Sequence, residues 1–184
     1  MSEKYKIRDQ DELYFITFAV IGWVDVFTRQ EYKDLVLESL AYCQKEKGLE
    51  IYAWCIMSNH VHLIVGRASD LKIEEIIRDF KKFTSVQLCR SIQSNAKESR
   101  REWMLELFKG AAAQSKKHIN YMFWQNEYHP VELSTKEIMR QKLDYLHNNP
   151  VEAGIVNKAE EYLYSSARDY YGNAKGLLEI KFIE

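Results

Sequence analysis

The stretch from Ile51 to Val65, IYAWCIMSNHVHLIV, constrains the fold more than any other part of the sequence. Two apolar runs, rich in β-branched and aromatic residues, flank a short polar break at Ser58-Asn59, and this pattern predicts a β-hairpin. Because side chains alternate between the two faces of a strand, His60 and His62 point the same way, with Cα atoms roughly 7 Å apart. The apolar residues between them point to the opposite face, towards a core.

Two imidazoles side by side on one strand face can chelate one divalent ion. A His-x-His triplet also occurs on half-exposed strands that bind no metal. This segment alone leaves both interpretations open, so the rest of the chain has to decide between them.

The other hydrophobic patterns predict the order β-α-β-β-α, followed by a further strand and a helix. This order is that of a ferredoxin-like sandwich, an α+β fold with helices packed on one face of an antiparallel sheet. The 184 residues predict one domain, in which 95–119 is an inserted basic helix and loop and 172–184 is a C-terminal tail. The predicted elements outside the hairpin are a strand at Leu13–Val24, helices at Thr28–Lys47 and Leu71–Ser94, a short helix at Trp103–Lys109, a strand at Asn120–Trp124 and a helix from Thr135 to Asn149.

Several local signals set the ends and faces of these helices. Thr28 and Glu31 form a capping-box pattern, and Gly48 is expected to end the first helix. Pro150 cannot donate a backbone hydrogen bond, so the last helix is expected to stop at Asn149. The second long helix carries an apolar stripe at three- and four-residue spacing. This stripe is Ile73, Ile76, Ile77, Phe80, Phe83 and Val86.

The formal net charge of −1 does not indicate a nucleic-acid-binding protein, so any basic site must be local. Between Arg78 and Lys117 there are ten basic and four acidic residues. This segment is either a phosphate-contacting surface or an ordinary solvated helix face. The basic residues are Arg78, Lys81, Lys82, Arg90, Lys97, Arg100, Arg101, Lys109, Lys116 and Lys117.

The last predicted helix carries one apolar stripe, formed by Met139, Leu143 and Leu146. Tyr145 lies roughly 120–140° around the helix from this stripe, so its hydroxyl is expected to point away from the core. Asn149 follows one turn later on the same face. The helix alone does not distinguish a functional tyrosine from a boundary residue.

Four segments together resemble the single-tyrosine HUH transposase family, and most of all the REP-associated tyrosine transposases among the IS200-like enzymes. The segments are AWCIMSNHVHLIVG, FWQNEYHPVEL, KLDYLHNNPVEAGIV and EEYLYSSARDY, and the similarity runs from about Tyr14 to Tyr171. The resemblance implies a ferredoxin-like fold with the HUH motif on a central strand. It also implies that His60, His62 and Asn149 bind a divalent metal, Mn²⁺ or Mg²⁺, and that Tyr145 is the nucleophile.

The reaction implied by the resemblance is metal-dependent cleavage and rejoining of single-stranded DNA through a 5′-phosphotyrosine, at hairpin or palindromic ends. Lys142 and His147 are candidates to help the tyrosine ionise. Trp124 either stacks on a base or packs in the core, and His129 lies near the site or in a loop. The candidate DNA-binding residues are Arg78, Lys81, Lys82, Trp124, His129 and Lys142.

Two other functions are compatible with parts of the pattern. A domesticated, non-catalytic nucleic-acid-binding regulator could keep the same fold, although the intact set of four candidate site residues argues against lost catalysis. A histidine-triad nucleotide hydrolase would need a third histidine where Ile64 stands.

The resemblance does not decide between a monomer and a homodimer. The N-terminus lacks an apolar signal core, and no apolar run approaches the ~20 residues of a membrane helix. We therefore expect a cytoplasmic bacterial protein that joins the nucleoid when bound to DNA and has no membrane partner.

Overall fold

The computed structural model describes residues 7–115, 120–126, 128–172 and 174–183. The strands are β1 (Tyr14–Ala19), β2 (Leu49–Ile56), β3 (His60–Arg67) and β4 (Val131–Glu132). The helices are α1 (Gln30–Lys47), α2 (Ile73–Ser94), α3 (Arg101–Ala113), α4 (Lys136–Glu152) and α5 (Ala167–Tyr171). Short 3₁₀ turns lie at Ile21–Trp23, Val26–Thr28 and Ala159–Glu161. Across the described residues, none of the helices combines the length and apolarity needed to cross a bilayer.

The four strands form one antiparallel sheet in the order β2-β3-β1-β4. The predicted hairpin is confirmed, because β2 and β3 pair directly around the break at Ser58-Asn59. Gly48 ends α1 with φ of 69°, a left-handed conformation that glycine adopts without steric cost. The α+β class and the ferredoxin-like sandwich predicted from the order of elements are therefore confirmed.

The larger apolar core lies between the sheet and helices α1 and α2. Alternate residues of each strand point into it, as the period of two requires. Its fully buried members include Ile16, Phe18, Trp54, Leu63 and Ile76. The expectation that helices pack on one face holds for these two helices.

Helix α4 lies across the opposite face of the sheet, where Leu146 packs in a second apolar cluster with Phe15, Cys55 and Ile64. Only part of this face is apolar, because β3 presents His60 and His62 there, on the same side as Ile64. The position of α4 thus brings residues from the end of the chain to the two histidines.

Helix α4 begins as predicted, since Thr135 is its N-cap and the Thr135 hydroxyl accepts a hydrogen bond from the Ile138 N–H. The predicted end at Asn149 is wrong, because the helix continues through Pro150 to Glu152. Pro150 sits in the last turn, where it removes a single hydrogen bond. Gly154, with φ of 69°, lets the Ile155 N–H donate to the Pro150 carbonyl at 2.9 Å. Asn149 is therefore held in helical conformation, one turn after Tyr145.

The predicted stripe on α2 is wrong in its second half. Phe83 and Val86 are exposed, and the buried positions continue instead through Thr84 and Leu88. The predicted capping box on α1 is also wrong, because the Thr28 hydroxyl donates to the Asp25 carbonyl and takes part in a 3₁₀ turn instead.

Three predicted boundaries also differ. Strand β1 ends at Ala19, where the chain turns. The segment Asn120–Trp124 is not a strand: in its described part Trp124 alone forms a bridge, to Val20, and the fourth strand is β4. Helix α3 extends to Ala113 rather than stopping before Gly110, because the alanines that follow favour helix.

Candidate active site

The two histidines predicted from the hairpin lie side by side on β3. Their ring centroids are 4.5 Å apart with the planes inclined at 72°. Thr17 and Ala19 of β1 lie opposite them in the sheet register. The Phe15 ring stacks on His62 at 5.3 Å, which fixes one side of the site.

Hydrogen bonds determine which nitrogen of each histidine faces the site. The Asn149 amide nitrogen lies 3.3 Å from His62 Nε2 and donates to it, so the Nδ1–H of His62 donates to the Thr17 hydroxyl at 2.7 Å. The Nδ1–H of His60 donates to Asn59 Oδ1 at 2.7 Å. Both Nε2 atoms therefore carry no proton, which is the form of imidazole nitrogen that binds a metal, and the Nε2 of His62 accepts the hydrogen bond from Asn149.

Both histidines are held in the neutral state by their surroundings. Burial lowers the pKa of His62 to about 3, assisted by the charges of His60 and Lys142. Burial also lowers the pKa of His60. Neither ring needs to lose a proton before it can bind a cation at neutral pH.

Tyr145 is brought to the same face by α4, with its side chain half-exposed as the helix pattern predicts. Its ring centroid lies 5.3 Å from that of His62 and 6.0 Å from that of Phe15. Among the described residues its hydroxyl has no hydrogen-bond partner. The Lys142 ammonium lies 5.7 Å from the Tyr145 ring centroid. The hydroxyl is thus accessible to a substrate and has a cation nearby.

His147 lies two residues from Tyr145 but faces the opposite way. It is 1% exposed. Its Nε2 bonds the Ser166 hydroxyl at 2.8 Å and its Nδ1 bonds the Tyr171 hydroxyl at 3.3 Å. The Ser166 oxygen also accepts the Trp54 N–H of β2 at 2.9 Å. His147 therefore anchors α4 to the sheet and to the C-terminal segment, and it does not reach the tyrosine hydroxyl.

The residues present fit a hard or borderline divalent ion held by two imidazoles and one amide oxygen. Turning over the Asn149 amide would bring its Oδ1 to the position that Nδ2 now occupies beside His62. Three protein ligands leave positions open for water or phosphate oxygens, as in catalytic metal sites. No group of three or more His, Cys, Asp or Glu side chains within the described ranges is arranged to hold a metal. A metal held by three protein ligands at this site would therefore include the Asn149 amide.

The predicted DNA-binding residues of α2 lie away from the histidines, because α2 packs on the other face of the sheet. Arg78 and Lys82 are exposed there, and Arg78 also pairs with Asp79 at 3.2 Å. Lys81 donates to the Gln125 carbonyl at 2.8 Å, and burial lowers its pKa to about 8. Of the candidate cations, Lys142 is the one placed beside the tyrosine.

Trp124 and His129 are placed differently from each other. Trp124 is 3% exposed, and its indole N–H donates to the Thr84 hydroxyl at 2.9 Å, so its ring packs in the core. His129 is exposed between Trp124 and β4. Glu127 and His118 lie outside the described residues.

The basic excess of the Arg78–Lys117 segment is reduced by a buried ion-pair network. Glu98 accepts hydrogen bonds from Arg29 at 2.7 Å and from Arg100 at 3.1 Å. Burial opposes the ionisation of Glu98, but the bonds from the two guanidinium groups outweigh it and lower its pKa to about 2. Lys116 and Lys117 lie outside the described residues.

Comparison with known protein families identifies the family of the chain. The model of the family described as "Transposase IS200 like" matches residues 13–112, just over half of the sequence. The chain belongs to the IS200-like transposase family. The matched region includes both histidines and ends before Tyr145 and Asn149. The roles of these two residues therefore depend on their geometry beside the histidines.

One solved structure shares the fold of this chain, and a second gives a weaker match. The structure of a REP-associated tyrosine transposase bound to a REP hairpin matches with a TM-score of 0.64 and 19% identity, over 100% of this chain and 98% of that chain. A putative transposase from Deinococcus radiodurans R1 gives a TM-score of 0.44 at 15% identity, over 79% of this chain and 96% of that chain. No curated protein matches the chain significantly.

Sequence reasoning missed three residues that shape this IS200-like site: Thr17, Asn59 and Trp23. Thr17 could have been noticed as the one small polar residue in the apolar strand YFITFA. Asn59 was included in the hairpin break but not given a role. Trp23, whose ring lies 5.9 Å from His60, has no periodic signal because it follows the end of β1 in a 3₁₀ turn.

Proposed function

We propose that this transposase cleaves and rejoins single-stranded DNA through a 5′-phosphotyrosine on Tyr145. The observation that carries the proposal is the convergence of three kinds of group on one face of the sheet. These are an accessible phenol, two neutral imidazoles with unprotonated Nε2 atoms, and a helical amide. All of them come from a single chain.

In the cleavage step, Tyr145 gives up its hydroxyl proton and its oxygen attacks the scissile phosphorus. A bond forms between the phenol oxygen and phosphorus, and the bond from phosphorus to the 3′ oxygen breaks. The released 3′ oxygen takes up a proton, leaving a free 3′-hydroxyl. In rejoining, a 3′-hydroxyl attacks the phosphotyrosine and the phenolate leaves, so the reaction needs no ATP.

His60, His62 and Asn149 would hold a divalent ion, Mn²⁺ or Mg²⁺. When bound, such an ion neutralises the phosphate oxygens and polarises phosphorus. Imidazole favours softer ions than Mg²⁺, whereas amide and phosphate oxygens favour hard ones, and Mn²⁺ satisfies both. Lys142 is assigned to stabilise negative charge on the phenolate or phosphate beside Tyr145.

The proposed substrate is a DNA hairpin with single-stranded flanks. Support comes from the REP hairpin bound to the similar solved transposase. Arg78 and Lys82 are proposed to contact phosphates away from the cleaved bond. Because one chain supplies the tyrosine and the histidines, we propose that Tyr145 acts in cis and that a homodimer is not required. Action on DNA places the protein at the bacterial nucleoid.

The test is a covalent-trap assay with labelled hairpin oligonucleotides and Mn²⁺. We expect a denaturation-resistant protein–DNA adduct that disappears in Tyr145→Phe and in EDTA. Tyr42→Phe is the matched control, because Tyr42 is exposed like Tyr145, at 58% against 44%, but lies on α1, across the sheet. Adduct formation by Tyr145→Phe would refute the assignment of Tyr145 as the nucleophile. Tight binding by the wild type without any adduct would favour the non-catalytic regulator.

A further inference from the structure

We infer that Trp23 is a stacking platform for an unpaired nucleobase next to the cleaved phosphate. This inference rests on the proposed function, since it names a further contact of the same DNA strand. It concerns a residue that neither the family motifs nor the histidine–tyrosine site assigns.

Trp23 has an unusual backbone conformation and an unusual exposure. Its φ is 54°, and it is the one non-glycine residue with positive φ in the described chain. A bulky residue in this region is a strained outlier, and such outliers cluster at functional sites. The indole is also 56% exposed, so core packing does not repay the strain.

The backbone of Trp23 is held by two hydrogen bonds. The Trp23 N–H donates to the Val20 carbonyl at 3.0 Å, and the Asn59 side-chain amide donates to the Trp23 carbonyl at 3.3 Å. The same Asn59 side chain accepts the Nδ1–H of His60. One amide therefore fixes both the strained turn and the orientation of a proposed metal ligand.

The turn that carries Trp23 and the segment after it are both anchored. The Ile21 N–H donates to the Phe123 carbonyl at 2.9 Å, and in the next turn the Phe27 N–H donates to the Ser58 carbonyl at 2.8 Å. A ring presented on an ordered backbone loses less conformational entropy on binding than one on a mobile loop.

Four rings follow one another across the site. Their centroids are separated by 5.9 Å from Trp23 to His60, 4.5 Å from His60 to His62 and 5.3 Å from His62 to Tyr145. The tyrosine and the indole lie at the two ends of this row. A strand whose scissile phosphate lies at the tyrosine end and against the histidines then brings a flanking base to the indole. Stacking of an unpaired base on an aromatic ring is tolerant of sequence because every base has a π-face.

The first test measures where on the DNA Trp23 acts. A hairpin with single-stranded flanks is selected from a random pool by binding to the Tyr145→Phe protein, and binding is measured in EDTA so that neither cleavage nor metal contributes. Trp23→Ala should weaken binding by roughly 5- to 150-fold, the range for loss of one stacked base. When the base that stacks on Trp23 is replaced by an abasic residue, the proteins with Trp23 and with Trp23→Ala should bind the DNA with equal affinity.

The matched control is Tyr42→Ala, because Tyr42 is 58% exposed but lies on α1, across the sheet. Equal binding by Trp23→Ala and Tyr42→Ala would overturn the inference and leave the proposed function standing. The inference would also be overturned if Trp23→Ala weakened DNA binding by a similar factor wherever the abasic residue was placed. Failure to select any DNA ligand would overturn both.

The second test separates DNA contact from folding. Trp23→Gly removes the penalty of positive φ, so its Tm should rise by roughly 2–4 °C while its DNA binding falls as in Trp23→Ala. A Trp23→Gly protein that is more stable and binds DNA normally would overturn the inference.

Discussion

Replacing Thr17 by Val should show how much the orientation of His62 matters, because the substitution keeps His62 but removes the hydrogen bond that orients its ring. The substitution is nearly isosteric and suits a strand, but it removes the hydroxyl that His62 Nδ1–H bonds at 2.7 Å. Because His62 is 3% exposed, water cannot replace that partner. Leaving a buried N–H unsatisfied costs about 1–3 kcal/mol of folding free energy.

The same change should weaken metal binding. Loss of the hydrogen bond that orients a metal-binding histidine lowers metal affinity by about 10- to 100-fold. That range corresponds to about 1.4–2.7 kcal/mol of binding free energy. The measurement is a Mn²⁺ titration of the free protein, by calorimetry and by the EPR signal of the unbound ion. Thr17→Ser keeps a hydroxyl and should restore most of the affinity.

Thr84→Val is the control for a purely structural effect. The Thr84 hydroxyl accepts the Trp124 indole N–H at 2.9 Å, and Thr84 is fully buried in the core on the other face of the sheet. Both valine variants should lose similar stability, but Thr84→Val should bind Mn²⁺ like the wild type. Wild-type affinity in Thr17→Val, or an equal loss in both variants, would refute the reasoning.

Two further outcomes are expected. Glu98→Gln should lower the free energy of unfolding at pH 7 by about 3 kcal/mol, because the Glu98 pKa falls from 4.5 to about 2 on folding. Since this pKa is depressed, the stabilisation is present above about pH 4.5 and is lost as the pH falls towards 2. Urea denaturation should show this loss in the free energy of unfolding of the wild type between these pH values, and the Gln variant should not show it. A mixture of His62→Ala and Tyr145→Phe chains should form no covalent DNA adduct, because the proposed site uses both residues of one chain; an adduct in the mixture that neither variant forms alone would show that the tyrosine acts across two chains.

The elements that place the candidate site were largely predictable from short-range rules. Strand alternation placed His60 and His62 on one face, and helical spacing placed Tyr145 and Asn149 on a face away from the apolar stripe. These rules need only local periodicity. The two histidines meet Tyr145 and Asn149 only because α4 covers the sheet face that carries the histidines. Local periodicity does not predict which face a helix covers.

The errors have a common physical origin in tertiary contacts. Phe83 continues a helical apolar pattern, yet α2 rotates its buried face towards Thr84, whose hydroxyl satisfies the Trp124 indole. Pro150 reads as a stop, yet the hydrogen bond from Ile155 closes the helix after it. The partnership of Thr17 with His62 depends on the register between two strands that are 45 residues apart in sequence.

The anchoring of α4 by His147 also sets the order in which the site can form during synthesis. The Asn149–His62 contact spans 87 residues, and the bond from Trp54 to Ser166 spans 112. Such long-range contacts form late, because the loop-closure entropy must be overcome first. On the ribosome, the sheet and its helices α1 and α2 can collapse while α4 is still untranslated, since chains fold as they emerge from the N-terminus. The nascent protein therefore holds its histidines without Tyr145, and the candidate site is complete only once the segment around Ser166 has left the exit tunnel.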